Sequence, residues 1–525
     1  MQALLCNGLQ PFTGRHRRLS LRESGAAFAE RKATFCRALP ASRRRPCRRS
    51  VIALAALAAM LVACPGRQAS FAAEAGKPEK PAKPNIVFIL ADDLGWGELG
   101  CYGQQKIRTP HLDRLAAEGL RFTQHYSGSA VCAPSRCALL TGRHMGHAAI
   151  RDNREIKPEG QQPLPDAEIT LAELLRGAGY ASAAIGKWGL GPPGSEGDPR
   201  RQGFDHFFGY NCQRHAHNFY PAFLYRDAEK IALEGNDGGA TGKQYSHDLM
   251  EAEALAFIRQ HKDRPFFLYL ACTIPHLALQ VPDDSLAEYL GKWDDPPYEG
   301  GKGYLPHKAP RAAYAAMVTR LDRSVGRVAA LLKELGLDDR TLVLFSSDNG
   351  PTYDRLGGSD SEFFASAAGR RGLKGSLYEG GIRVPLVCRW PGRIRPGGTS
   401  DLASAFWDVL PTLCETAGIR PPEHCDGISF LPTLLGRGEQ RQHEFLYWEF
   451  PAYSGQQAVR LGNWKGVRRE LNKGRLQIEL YDLAADPGEQ NDLAAARPEV
   501  VARIEAIMAR EHVRSPQFPL RGVDR

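Results

Sequence analysis

The sequence predicts an α/β protein: a mixed, mostly parallel sheet covered by helices on both faces, with a smaller C-terminal domain containing an antiparallel sheet. Two observations carry this. Short runs rich in β-branched and aromatic residues alternate with helical patterns from Asn85 onward. That alternation, a strand-like run and then a helical one, argues for a mostly parallel sheet covered on both faces. With 525 residues the chain can bury a large core in one big domain plus a smaller one.

The elements follow in order. NIVFIL (Asn85–Leu90) is a strand, and TPHLDRLAAEGL a helix with Thr109 as N-cap and Pro110 at its first position. ITLAELLRGAG reads as a helix ending at glycine, and YASAAIG as a strand. HDLMEAEALAFIRQHK is helical and PFFLYLACTI a strand; Arg311 to Leu335 is helical and TLVLFSS a strand. FWDVLPTLCETAG forms a helix. QAVRLGNWKGVRR and LQIELYDL follow as antiparallel strands.

The formal charge of +9 is uneven: residues 1–50 contribute +10, and the remainder is near neutral at −1. That excludes a general nucleic-acid surface on the folded body. Arg43, Arg44, Arg45, Arg48 and Arg49 precede the apolar run Val51–Ala63, whose 13 residues are too few to span a bilayer. Basic then apolar is the order of an export signal. The basic extension and signal occupy 1–64. Its 40-odd residues before the arginine cluster are long for such a signal, which predicts a start downstream of Met1. The end of the run, LVAC, resembles a lipobox that would anchor the chain to a membrane through lipid on Cys64; Arg48 to Ile52 resembles a twin-arginine signal, and a plain signal cut further on also fits. Residues 65–84 form a linker ending in EAGKPEKPAKP. Periplasm or cell envelope is the expected location. From Cys64 onward there are nine cysteines and no CxxC pair, which argues against a zinc ribbon or a thioredoxin-type site.

Polar chemistry follows four strands. NIVFIL runs into Asp92-Asp93, YASAAIG into Lys187, PFFLYLACTI into Pro275-His276, and TLVLFSS into Asp348-Asn349. Each has a plain explanation alone: Asp92-Asp93 and Asp348-Asn349 as turns or helix caps, the lysine as a solvated surface residue. Together they stand where open α/β sheets bind ligands. Three carboxylates and an amide carbonyl are hard oxygen donors suited to calcium or magnesium. Arg136, Lys187 and Lys374 would then surround a doubly charged oxyanion.

SAVCAPSRCALLTGRHM, from Ser129 to Met145, reads two ways. It is an ordinary helix start with Ala138, Leu139 and Leu140 packed inside. It is equally a nucleophile, Cys132, at the positive end of a helix dipole beside Arg136.

Cys132-Ala133-Pro134-Ser135-Arg136, with Leu139, Thr141, Gly142 and Arg143, resembles the type I sulfatase signature CxPSRxxLxTGR. NIVFILADDLG, SSDNG, LKGSLYEGGIRVP and ELYDLAADPGEQNDLA resemble further sulfatase segments in the expected order, from about Pro84 to Leu493. The resemblance implies an alkaline-phosphatase-like fold, with a catalytic domain over 85–426 and a smaller C-terminal domain over 427–525, starting after the helix FWDVLPTLCETAG. It implies that a separate formylglycine-generating or radical maturation enzyme oxidises Cys132 to formylglycine (3-oxoalanine), whose hydrate attacks the ester sulfur and later expels sulfate. It implies calcium held by Asp92, Asp93, Asp348, Asn349 and the modified Cys132. Arg136, Lys187 and Lys374 would hold nucleophile and sulfate, and His276 would protonate the leaving oxygen.

The chain departs from the family at one point. Where most members read GKWHLG it has Gly186-Lys187-Trp188-Gly189-Leu190-Gly191, without the histidine that assists elimination. His144, His147 and His217 are candidates to replace it; His147 and His217 are favoured as residues facing substrate. YNCQRHAHNFYP, with His215, His217 and Tyr220, suits sugar hydroxyls or forms a structural aromatic loop. The expected activity is sulfate removal from a sulfated carbohydrate, with aryl sulfates as surrogates. A phosphodiesterase or phosphonate monoester hydrolase on the same scaffold, and an inactive glycan-binding lipoprotein, are the competing readings.

Overall fold

The structure, a computed structural model, describes residues 83–157 and 159–524. The signal run and Cys64 lie outside the described residues. The strands are β1 (Asn85–Ala91), β2 (Leu120–Tyr126), β3 (Ala181–Lys187), β4 (His206–Tyr210), β5 (Phe223–Arg226), β6 (Glu229–Ala232), β7 (Phe266–Ala271), β8 (Thr341–Ser347), β9 (Arg383–Arg389), β10 (Gly398–Ser400) and β11 (Ser404–Ala405). They form one eleven-stranded sheet in the order β10-β2-β9-β8-β1-β7-β3-β4-β5-β6, with β11 also on β2. The centre, β8-β1-β7-β3-β4, is parallel throughout. β9 runs antiparallel to both its neighbours, β2 and β8, and β5 and β6 continue the far edge antiparallel.

Each central strand feeds two cores, because successive side chains leave opposite faces of the pleat. In β1, Val87 and Ile89 join one core while Ile86, Phe88 and Leu90 join the other. The first face is covered by helices Pro110–Ala117, Ser246–Gln260 and Pro310–Glu334; the second by Cys132–Thr141, Leu171–Gly177 and Val409–Thr416.

Thr109 stands at the N-cap of Pro110–Ala117, but its side chain makes no capping bond. Its hydroxyl donates to Asp113 instead. The cap comes from another helix: Asp322 accepts the N–H groups of His111 (3.1 Å) and Leu112 (2.7 Å). Burial pushes the Asp322 carboxyl up to about 7, against the pull of those two bonds. Its folded pKa thus lies above the unfolded value of about 4, so the native state holds the extra proton and stability falls as pH rises from there to about 7. Urea melts at pH 5 and pH 7.5 are expected to show a smaller pH-dependent loss for Asp322→Asn than for wild type. An equal loss would remove Asp322 from the account.

After Gly427 the chain first returns to the main core through Phe430, Leu431 and Leu434. The antiparallel sheet begins later, as β12 (Leu446–Phe450), β13 (Gln456–Leu461), β14 (Trp464–Arg469) and β15 (Glu479–Asp482), ordered β12-β13-β14-β15. A two-residue turn, Gly462-Asn463, joins β13 to β14, with Gly462 at φ +61°. One face of this sheet buries Tyr447, Val459 and Leu480 against Val500, Ile504 and Met508 of the helix Pro498–Glu511. The other face packs Trp448, Phe450 and Val467 against Tyr126, Val131 and Trp407. It therefore buttresses the residue just before Cys132. Among the described residues all eight cysteines are free thiols. No described helix is long and apolar enough to cross a membrane.

Candidate active site

Four neighbouring strands, β8, β1, β7 and β3, end on the same edge, and their last turns bring the chemistry together. Asp92 and Asp93 follow β1, Asp348 and Asn349 follow β8, Lys187 closes β3, and His276 lies five residues beyond β7. The helix Cys132–Thr141 starts against this edge, with Asn153 Oδ1 accepting the Ala133 N–H at 2.8 Å.

Cys132 Sγ is the hub. It lies 3.3 Å from Asp92 Oδ1 and 3.5 Å from each of Lys187 Nζ and Lys374 Nζ. Lys187 also donates to Asp92 at 2.7 Å, and Lys374 to Asp93 at 2.9 Å. Arg136 donates from Nε and Nη2 to Asp348 Oδ2, at 3.1 and 2.8 Å, and from Nη1 to the Lys187 carbonyl. Asp348 Oδ1 accepts the Asp93 N–H. His276 Nε2 stands 3.5 Å from Asp93, while its Nδ1 bonds the Leu277 carbonyl.

Charge in this buried site is divided unevenly. Burial alone would raise the Asp92 pKa, but Lys187, His276, Arg136 and Lys374 outweigh it and hold the carboxyl well below its usual range. Burial and the charges of Asp92 and Asp93 push Asp348 up to about 6, despite Arg136. Burial and then Lys374 keep His276 well below its usual value. The Cys132 thiol moves up, not down: burial and Asp92 outweigh both lysines and any pull of the helix start. The bare thiol is therefore protonated at neutral pH and is a poor nucleophile.

The donor set fits a hard divalent cation. Asn349 spends its Nδ2 on Asp93 and the Gly350 carbonyl, leaving a buried Oδ1 without a hydrogen-bond partner. An orphaned amide oxygen among carboxylates that repel one another is relieved by such an ion. Ligand atoms of Asp92, Asp93, Cys132 and His276 all lie within 4.8 Å of one another.

Cys132, His276 and Lys374 open onto a cavity of about 640 Å³. Tyr304, Tyr353 and Tyr453 line it, with Lys302, Arg214 and the amides of Asn153, Gln161 and Gln213. His217 is there too, its ring stacked on His276 at 4.6 Å. Burial, and the charge of His276, hold His217 well below its usual pKa. The sequence reading missed the tyrosines, Asn153 and Gln161, which lie on connections with no strand-end pattern. Gln213 falls within YNCQRHAHNFYP, already marked for its polar and aromatic content.

The profile of the Sulfatase family matches residues 84–419, well over half of the chain. The chain belongs to the sulfatase family. The profile of the N-sulphoglucosamine sulphohydrolase C-terminal region matches residues 373–513 of this sulfatase. It is 36% identical to arylsulfatase A of Homo sapiens over 481 residues, covering 81% of this chain and 87% of that protein. It is 32% identical to N-acetylgalactosamine-6-sulfatase of Canis lupus familiaris over 482 residues, covering 83% and 86%. Among solved structures, Ps i-CgsB in complex with k-i-k-neocarrahexaose is similar at TM-score 0.69 and 26% identity, covering 82% of this chain and 94% of that one. These matches make the chain a sulfuric ester hydrolase with the expected α/β fold.

One expected substrate-facing residue of this sulfatase is elsewhere. His147 does not line the cavity; its Nδ1 bonds Asp426 at 2.9 Å. His144 sits beside it, with Nε2 3.3 Å from Glu511 and Nδ1 accepting the Gly146 N–H. That bond leaves the His144 proton on Nε2, directed at Glu511, so the cluster is a hydrogen-bonded tie to the helix Pro498–Glu511. The cause is the αL turn at Gly142, which ends the helix and turns the following residues away from the strand ends. His147→Ala is expected to leave kcat/KM within about twofold of wild type while lowering the melting temperature by a few degrees. A tenfold fall in kcat/KM would return His147 to the site.

Proposed function

We propose that this sulfatase removes sulfate from a sulfated carbohydrate, using formylglycine made from Cys132 by a maturation enzyme and a calcium ion held by Asp92, Asp93, Asp348, Asn349 and the modified residue 132. The single observation that carries it is Cys132 Sγ, equidistant at 3.5 Å from two lysine ammonium groups on the floor of a polar, tyrosine-lined cavity. Two fixed cations there suit an anionic sulfuryl group. Formylglycine would supply a hydrated aldehyde oxygen as the nucleophile, a role the protonated thiol fills poorly. Calcium would supply positive charge to the carboxylate cluster and to the sulfuryl oxygens.

The chain's own groups have distinct tasks. Lys187 and Lys374 neutralise sulfate oxygens, and Arg136 fixes Asp348 and the end of β3. His276 keeps its Nδ1 proton on the Leu277 carbonyl, so Nε2 is the atom that faces the leaving oxygen, and the neutral ring must take up a proton there before it can pass one on. His217, stacked on His276, is the one of the three candidate histidines that shares the cavity, and it takes the second-step proton. Tyrosine rings and side-chain amides suit a sugar, and the structural relative bound to k-i-k-neocarrahexaose supports a carbohydrate substrate. The basic-then-apolar order before Cys64 supports export to the periplasm or cell envelope, with a lipid anchor.

The test is turnover of 4-nitrophenyl sulfate, 4-nitrophenyl phosphate, a phosphonate monoester and a panel of sulfated mono- and disaccharides, with peptide mass spectrometry across Cys132. Sulfate esters should lead, with the sugars among them, and the peptide should carry the aldehyde. Preference for the phosphorus esters would overturn the reading, and an unconverted Cys132 in active enzyme would overturn its chemistry.

A further inference from the structure

We infer that Gln213 recognises free hydroxyl groups beside the scissile sulfate ester and so sets the preference for sugar over aryl leaving groups. This rests on the carbohydrate reading above.

The backbone of Gln213 is anchored: its N–H donates to Gln161 Oε1 at 3.3 Å, and Gln161 Nε2 is held on the Arg154 carbonyl at 2.8 Å. The residue is only 8% exposed, yet neither Nε2 nor Oε1 has a hydrogen-bond partner among the described residues. Buried amides rarely stay unpaired on both atoms. Gln213 shares the cavity wall with Cys132, His217, His276 and Lys374, so a ligand reaching the sulfur hub passes this amide.

Gly189 makes the room. A Cβ built on it would collide with Gln213 Nε2, and its φ of +76° favours glycine in any case. The missing side chain at 189 and the placement of the amide are thus one arrangement. Gly189 lies two residues past Lys187, whose ammonium touches Cys132, so the amide flanks the reacting centre.

The amide's own chemistry selects the ligand. Nε2 donates and Oε1 accepts. Sulfate oxygens only accept, so they would satisfy Nε2 and leave Oε1 orphaned. A hydroxyl both donates and accepts, and two neighbouring hydroxyls on a sugar ring satisfy both atoms. An aryl leaving group offers neither. A site built to hydrogen-bond a hydroxyl rejects analogues lacking it, because its buried polar groups are then left unpaired.

The experiment compares wild type, Gln213→Ala, Gly189→Ala and the double variant. The substrates are 4-nitrophenyl sulfate, a sulfated monosaccharide with free hydroxyls next to the ester, and the same sugar with those hydroxyls methylated. Wild type is expected to favour the free sugar over its methyl ether. In Gln213→Ala the sugar-to-aryl ratio of kcat/KM should fall about 10- to 100-fold, and the preference over the methyl ether should vanish. Gly189→Ala should displace the amide and lower the same ratio, and the double variant should be no worse than Gln213→Ala. An unchanged ratio, or equal loss on all three substrates, would overturn the inference. Wild type that cleaves the aryl ester but no sugar sulfate would overturn the carbohydrate reading itself, a result seen before any variant is made.

Discussion

Cys132→Ala is expected to abolish turnover, by a factor on the order of 10⁴ or more, in a protein whose melting temperature moves by only a few degrees. The residue is 1% exposed but its side chain is small, so the lost packing is modest, about 1–2 kcal/mol. Its removal nevertheless takes away the atom on which Asp92, Lys187 and Lys374 converge. Cys132→Ser is the sharper variant. A seryl oxygen can accept one sulfuryl group, but it lacks the second hydroxyl needed to expel it, so rapid mixing should show at most one equivalent of alcohol per enzyme. Repeated turnover by either purified variant would end the formylglycine account.

Removing divalent ions with a chelator should lower kcat by about two orders of magnitude or more, and calcium should restore it. The same loss is expected for Asp93→Ala, without rescue. The pH dependence of calcium binding gives a second check. Without the ion, burial and its carboxylate neighbours push Asp348 up to about 6. The raised folded pKa means that the ion-free native state holds a proton from about pH 4 up to about 6 and loses that stabilisation as pH rises through 6. Calcium must displace this proton at pH 5 but not at pH 7.5. Added calcium should therefore raise the melting temperature more at pH 7.5 than at pH 5. Fully active protein free of divalent ions on metal analysis would refute the metal site.

Much of the architecture was legible because the parallel centre writes itself as apolar runs followed by polar residues. β1, β3 and β8 match the expected runs within a residue, β7 stops at Ala271, three residues before the end of its run, and the residues that follow them do meet. The antiparallel parts were harder. β9 lies between β2 and β8, yet it contains Pro385, which argues against a central strand. The structure absorbs the proline with a register shift in β2 between Phe122 and His125, opposite it. Thr109 was read from local capping rules, whereas the cap comes from Asp322, 210 residues away from Leu112. His147 failed for a related reason: sequence places it near the signature helix, but not on which side of the turn at Gly142 it emerges. The Gln213–Gly189 pairing depends on two separate loops meeting, which no local pattern records.

Every residue of the helix Cys132–Thr141 is buried, and Arg136 is fully enclosed between Asp348 and the end of β3. The proposed maturation enzyme would have to take the residues from Cys132 to Arg136 into its own cleft. In the folded chain they are wound into a helix, with Pro134 and Ser135 inside the protein and Val131 sealed by the small sheet. The proposed maturation would therefore be a race. Conversion would have to finish before these residues fold, and a chain that folds first would stay in its thiol form. Protein made faster than it can be converted would then be a mixture of two species with nearly the same melting curve, one active and one inert, in proportions set by synthesis rate rather than by stability.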